Sequence, residues 1–290
     1  MNSLEPNNLA LSIIIPAHNR RDDLAECLGA MPWDQFADRH VEVIVVDDAS
    51  ADGTAAMVHR DFPDAHVIAL EDNAGPARAR NRGAKEARGN LLWFLDSDGA
   101  ITPGWLDAVL AADGGHTVLL GCVVDYEGGR VQRVPRRATF LGKSLRCRPH
   151  RANTGPSCNL GVPRACFDAL GGFDEELPYY FEDSDFCIRA RKAGYSFRYL
   201  PNAVFRHKGS SIIRGNAITP QERNSTYAML RAYHGHPLRR IAFTLANGLW
   251  LVTRIVTWGL RGRFRDVQRV VSGWRQGYQA YTHWRKRGRT

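Results

Sequence analysis

The sequence predicts an α/β fold, a mainly parallel sheet with helices on both faces, followed by a helical C-terminal extension. Three observations predict it. Short continuous apolar runs alternate with segments of helical period, three of those runs end in polar clusters, and the positive charge is gathered in the last fifth of the chain. At 290 residues, 44% hydrophobic and 24% charged, the chain has room for one large or two small domains, and its composition excludes disorder, collagen and small disulfide scaffolds.

The elements follow in order. Residues 12–16, Ser-Ile-Ile-Ile-Pro, form a short apolar run closed by a breaker, the mark of a buried strand. Residues 21–30 place Leu24, Cys27 and Leu28 on one helical face, and residues 41–47 make a second buried strand. The alternation continues with helix over 54–60, strand over 66–70, helix over 76–88 and strand over 91–95. Such sheets gather ligands beyond the carboxyl ends of their strands. Three of those ends are polar here: Pro16-Ala17-His18-Asn19-Arg20, Asp47-Asp48-Ala49-Ser50 and Asp96-Ser97-Asp98. One shared site is the economical reading. Past Gly99 the pattern loosens: strand over 117–124, an irregular Arg- and Gly-rich stretch over 126–154, strand over 157–162, and helices over 164–170 and 183–193. Gly194 stops the last of these, and strands follow over 195–200 and 203–205.

The net charge of +9 is unevenly placed. Residues 231–290 carry 13 Lys and Arg against one acid, Asp266, whereas residues 1–230 carry 26 basic and 29 acidic residues. The six cysteines show no CxxC pair or zinc spacing, which fits a reducing compartment, and the first ten residues lack the basic start and apolar run of a signal peptide. A cytoplasmic chain is expected. Residues 241–260 are apolar, but Asn247 and Arg254 interrupt them, so a spanning helix is not expected.

Asp96 and Asp98 stand two positions apart after five apolar residues, so both carboxylates can reach one hard divalent cation and leave its other positions for water and phosphate. A solvated turn is the bland alternative. The context decides: SIIIPAHNRRDDLAECL, VEVIVVDDASADGT and NAGPARARNRGAKEARGNLLWFLDSDGAITPGWL follow one another at close spacing, then CNLGVPRACFDALGGFDEEL, FEDSDFCIRARKAGY and LPNAVFRH. Over residues 12–207 this ordered set resembles the family 2 glycosyltransferases, which have the GT-A type of Rossmann-like nucleotide-diphospho-sugar transferase fold. The resemblance implies a catalytic domain over 1–215, with a nucleotide-sugar half over 11–100 and an acceptor half over 101–215, and a basic helical extension over 216–290.

It also implies roles. Pro16, Ala17, His18, Asn19 and Arg20 would cup the nucleoside, and Asp48 would accept a hydrogen bond from the base, as a carboxylate can from an imide N–H; stabilising a turn is its alternative role. His18 stands where the family often has tyrosine or phenylalanine, which puts the stacking contact in question. Arg80 would face the nucleotide, although Arg78 or Arg82 could be the inward one. Asp96, Asp98 and His207 would hold Mg²⁺ or Mn²⁺ against the diphosphate, with Asp96 also on the donor side. Asp183, opening a helix after Tyr179, Tyr180 and Phe181, would be the general base of an inverting displacement, and its aromatic neighbours could raise its pKa. Glu182 and Asp185 read as capping carboxylates.

The donor would be UDP-, dTDP- or GDP-linked and the acceptor a carbohydrate or lipid-linked hydroxyl in surface polysaccharide or glycolipid synthesis. The QxxRW motif of processive synthases is absent, so single-sugar transfer is expected, and Arg223-Asn224 is similar to rhamnosyltransferase-like members. In the extension, residues 241–260 and 263–284 both read as amphipathic helices. Trp274, Tyr278 and Tyr281 beside arginine make the second one the expected contact with an anionic membrane surface, where each nearby cation gains ~1 kcal/mol. The enzyme would then sit peripherally on the inner face of the membrane. Nucleic acid is the weaker partner, since no recognition module is visible. A non-catalytic nucleotide-sugar binder of the same fold is the alternative function; a dinucleotide oxidoreductase is disfavoured because no GxGxxG follows the first strand.

Overall fold

A computed structural model describes residues 10–112, 114–133, 135–209 and 217–287. The expected domain boundary at 215/216 and residues 1–9 lie outside the described residues.

The first half alternates as predicted. β1 (Leu11–Ala17) is followed by α1 (Arg21–Gly29) and a short α2 (Trp33–Phe36), then β2 (Val41–Asp47), α3 (Thr54–Asp61), β3 (His66–Ala69), α4 (Pro76–Glu86) and β4 (Leu91–Leu95). β1 lies between β2 and β4, parallel to both, and is buried along its whole length, which is why its sequence is a continuous apolar run. Leu24, Cys27 and Leu28 are the buried face of α1, as the spacing requires.

The second half is mixed. β5 (Gly99–Ile101), α5 (Trp105–Leu110) and β6 (Thr117–Asp125) precede β7 (Val131–Arg133) and a β8 (Arg136–Ala138), β9 (Ser144–Arg146) pair, so the stretch expected to be irregular holds three short strands. β10 (Asn159–Pro163), α6 (Arg164–Leu170), α7 (Glu182–Lys192) and β11 (Ser196–His207) complete it. Among the described residues the main sheet runs β3-β2-β1-β4-β10-β6-β11-β5, with β7 on β6. β10 is antiparallel to both β4 and β6, and β5 is antiparallel to β11, so the parallel expectation holds for β1 to β4 and for β6 with β11.

That topology assembles the site. β10 runs against β4, so Asn159 pairs with Leu95 and residues 157–158 arrive beside the carboxyl end of β4. β5 runs against β11, so His207 pairs with Gly99, and the Lys208 N–H donates to Asp98 O at 2.9 Å. Three stretches distant in sequence thus meet: residues 96–99, 157–159 and 207–208.

α8 (Ile218–Ala232), α9 (Pro237–Gly259) and α10 (Phe264–Arg287) form the extension. α8 is absent from the sequence expectation, and it is the most buried of the three. Tyr227, Ala228, Met229 and Leu230 share a third hydrophobic core with Ala138, Leu177, Ile188 and Tyr281. α10 lies tightly along α8, because a Cβ on Gly273 would stand 2.5 Å from Thr219 O and one on Gly277 2.6 Å from Arg223 O. The face of 263–284 expected to meet lipid is therefore the face that packs on α8: Val270, Gly273, Gly277 and Tyr281 are buried. Amphipathicity showed that the face would be covered and not by what.

Candidate active site

The loop after β1 and the loop after β2 are knitted together. Asp48 N donates to Ala17 O at 2.8 Å, Asn19 N to Ser50 Oγ at 2.9 Å and Ala51 N to Asn19 Oδ1 at 2.8 Å. His18 Nδ1 lies 2.7 Å from Asp48 O. Asn19 and Ala49 both hold left-handed backbone, with φ of 51° and 58°. Non-glycine residues adopt that region at a cost, and they concentrate at functional segments. Pro16 and Ala17 belong to β1 and are buried; Arg20 pairs with Asp23 at 2.8 Å. A cleft of about 660 Å³ opens along residues 18–23 and Asp52.

Asp48 is buried, and both of its oxygens are engaged: Oδ1 accepts from Ala74 N at 3.0 Å and Oδ2 from Gly75 N at 2.8 Å. It ties the loop before α4 to the end of β2. Each oxygen keeps a second lone pair, so a further N–H can be accepted without breaking this clamp.

Arg80 is the inward arginine of α4. Arg78 pairs with Asp72 and Arg82 with Glu86, both on the surface, while Arg80 is 3% exposed and bridges two carboxylates: Asp96 Oδ1 at 2.6 Å and Glu182 Oε1 at 3.2 Å. Asp96 in turn faces His207, whose Nε2 lies 3.6 Å from Asp96 Oδ2 and 3.1 Å from Asp98 Oδ1. Burial alone would raise the Asp96 pKa, but Arg80 and His207 overcome it and bring the group down to about 2. The same two aspartates overcome the burial of His207 and push its imidazole up to about 9. The residues expected to hold metal are thus gathered at one place.

A fourth donor joins them. Ligand atoms of Asp96, Cys158 and His207 lie within 4.8 Å of one another. Cysteine spacing could not reveal Cys158, because its partners come from β4 and β11 rather than from a second cysteine. A carboxylate, imidazole and thiol set fits a divalent transition ion better than a purely oxygen-seeking one.

Asp183 opens α7 half-exposed, and the Ser184 N–H donates to its Oδ1 at 2.5 Å. Tyr180 and Phe181, with φ of 64° and 73°, make the turn that presents it. Glu182 is buried, and desolvation first, then the Asp183 charge, raise its carboxyl to about 7 against the opposing pull of Arg80. Ser157 Oγ donates to Glu182 Oε1 at 3.3 Å, while Oε2 is buried without a partner. Sequence spacing suggested a cap; the structure makes Glu182 a second-row carboxylate behind Arg80. Asp185 is also no cap, since it pairs with Arg189 and Arg231.

The extension reaches this turn. Asn224 Nδ2 donates to Tyr179 O at 2.7 Å and to Tyr180 O at 2.8 Å, holding the two carbonyls just before Asp183 from α8.

Residues 12–171 match the sequence profile described as "Glycosyl transferase family 2". Similar curated proteins are Glycosyltransferase AglE of Haloferax volcanii, 27% identical over 68% of this chain and 66% of that protein, and Pre-mycofactocin glycosyltransferase of Mycobacterium tuberculosis, 29% identical over 72% and 45%. The chain spans about half to two-thirds of these relatives. Among solved structures, the mannosyltransferase PcManGT of Pyrobaculum calidifontis in complex with GDP-Man and Mn²⁺ superimposes with a TM-score of 0.60 at 18% identity, covering 94% of this chain and 88% of that one. S. aureus TarS 1-349 in complex with UDP-GlcNAc gives 0.60 at 21% identity, covering 94% and 82%. At those identities the agreement is one of fold.

Proposed function

The chain belongs to the family 2 glycosyltransferases and has their GT-A fold, and from that premise we propose that it is an inverting, metal-dependent enzyme that moves one sugar from a nucleotide diphosphate to an acceptor hydroxyl. The observation that carries the reading is the convergence of Asp96, Asp98 and His207 at the carboxyl edge of the sheet, joined through Arg80 to the carboxylate pair at the start of α7.

Asp96, Asp98 and His207, with Cys158 beside them, would hold the cation, and the mixed donor set favours Mn²⁺ over Mg²⁺. When bound, such an ion supplies positive charge against the diphosphate as it leaves. The chain's own groups do the rest. The 18–20 loop, which follows β1, and Asp48 receive the nucleoside, Asp48 through its second lone pairs. Arg80 holds Asp96 ionised and fixed between two elements. Asp183 accepts the proton of the acceptor hydroxyl as that oxygen forms its bond to the anomeric carbon; the bond from that carbon to the diphosphate oxygen breaks, and the electron pair leaves with the nucleoside diphosphate. Attack from the opposite face inverts the centre.

Residues 1–215 form the catalytic unit in this reading and 216–290 its extension. The acceptor class is a carbohydrate or lipid-linked hydroxyl in surface polysaccharide or glycolipid synthesis, at the cytoplasmic face. A panel of UDP-, dTDP- and GDP-sugars with Mn²⁺, read by donor-dependent thermal stabilisation and slow donor hydrolysis, names the donor. Asp183→Asn is expected to lose transfer by about 10²-fold or more while donor binding persists. Full transfer by that variant overturns the base assignment.

A further inference from the structure

We propose that α9 docks the protein onto an anionic lipid surface by lying in the plane of the interface, with its outward apolar stripe immersed and its inner face retained on α8. Leu238, Ile241, Leu245, Leu249, Val252 and Val256 recur at helical spacing, and each is more than half exposed. Leu260, 85% exposed, and Phe264 carry the stripe past the end of the helix. Over 23 residues the stripe is ~35 Å long. Contiguous exposed apolar surface on that scale marks an interaction face.

The opposite side of α9 is committed to the protein. Phe243, Asn247 and Leu251 are buried on it. Asn247 Nδ2 reaches Thr226 Oγ1 at 3.4 Å, and Arg254 donates to Glu222 Oε1 at 2.7 Å. The two residues that interrupt the apolar run are thus the ones that fasten it to α8. By length and composition alone the helix could cross a bilayer. Crossing would strip Arg254 from Glu222, itself buried, and place an uncompensated guanidinium in hydrocarbon. An in-plane position keeps both contacts and still covers the stripe.

Charge selects the occupant. Of the seven arginines in residues 231–265, Arg231 and Arg254 pair with buried carboxylates and Arg263 with Asp266, so the cations that remain belong to the ends of the stripe. Arg239 stands exposed at one end of the stripe, and Arg261 and Arg265 stand exposed at the other. The rim of the apolar face is cationic, as an anionic headgroup layer requires. A second copy of the chain would bring the same cations to the same rim.

The proposal rests on the glycosyltransferase reading only for the identity of a lipid-linked acceptor; docking itself needs no transfer. The test is flotation of the full chain with preformed phosphatidylcholine vesicles, with and without equimolar phosphatidylglycerol, alongside Leu245→Glu/Leu249→Glu. Both leucines are more than two-thirds exposed, so the double variant is expected to keep the wild-type melting temperature and its transfer to a soluble acceptor. The wild type is expected to float with the anionic vesicles, the double variant at least tenfold less, and alkaline carbonate to release the bound protein. Equal flotation of the two proteins, or no flotation of the wild type, overturns docking through α9. Resistance to carbonate overturns the in-plane position. A wild-type dimer that the double variant converts to monomer, without vesicle binding, assigns the stripe to a second copy instead. Asp183→Asn should float as the wild type does, so failure of the catalytic reading leaves this result separate.

Discussion

Arg80 is the hinge of the site's electrostatics: one buried guanidinium faces Asp96, on the side of the proposed metal ligands, and Glu182, next to the proposed base Asp183. Glu182 has the less favourable share, with its carboxyl raised to about 7 from an ordinary 4.5. A carboxyl raised in the folded state contributes its full stability below pH 4.5 and loses it as pH rises through 7. Glu182→Gln removes that loss. The variant's melting temperature is expected to vary less with pH between 4.5 and 7 than that of the wild type, and identical slopes would show that Glu182 titrates normally. Asn159 makes a contrasting case, a buried polar group with every contact made. Its Oδ1 accepts from Trp93 at 2.9 Å and Trp105 at 3.2 Å, and its Nδ2 donates to Cys122 O at 3.0 Å and Ala203 O at 2.8 Å. Asn159→Ala leaves four buried groups unpaired and should cost about 4 kcal/mol or more in denaturant unfolding. Sequence shows which residues carry charge but not which ones meet. Arg78, Arg80 and Arg82 look alike on paper, and only the packing of α4 on the sheet turns Arg80 inward.

α8 shows why an element can be missed. Its buried positions include Glu222, Asn224, Ser225 and Thr226, polar side chains that carry no apolar period. Glu222 and Thr226 meet partners on α9 and Asn224 meets the turn before Asp183, and such pairings are invisible along the chain. β1, β2 and β4 were legible for the opposite reason: near-complete burial demands continuous apolar runs, and the polar clusters stand at their carboxyl ends. With Asp183 as the proposed base, Asn224 would be a positioning residue, since it donates to two carbonyls of the turn that presents that carboxylate. Asn224→Ala removes the donor from two carbonyls of the presenting turn, so transfer kcat should fall while donor KM stays near the wild-type value. A parallel loss of donor affinity would reduce Asn224 to a general structural role. Gly277 tests the α8–α10 contact. Gly277→Val drives a side chain against Arg223 O and is expected to lower stability by about 2 kcal/mol, read as a lower urea midpoint.

At the scale of the whole molecule, the charge split reads as an acidic catalytic half and a separate basic tail, yet packing binds the two. Arg231, the first residue of the basic segment, pairs with Asp174 and with Asp185, which is 2% exposed, so the segment's opening charge is spent on carboxylates in and just before α7. The third core likewise draws on both sides of the expected boundary, with Ala138, Leu177 and Ile188 from one and Tyr227, Leu230 and Tyr281 from the other. Elements that share a core and a buried ion pair should unfold together. Far-ultraviolet circular dichroism, which draws about half of its helical signal from the extension, and tryptophan fluorescence, from Trp93 and Trp105 in the sheet core and from Trp250, Trp258, Trp274 and Trp284 in the extension, are therefore expected to report one coincident thermal transition. Arg231→Ala leaves two carboxylates without their shared cation and should move that single transition down by about 3 kcal/mol of stability. Two resolved transitions, with only the helical one shifted by Arg231→Ala, would show instead that the extension folds as an independent unit.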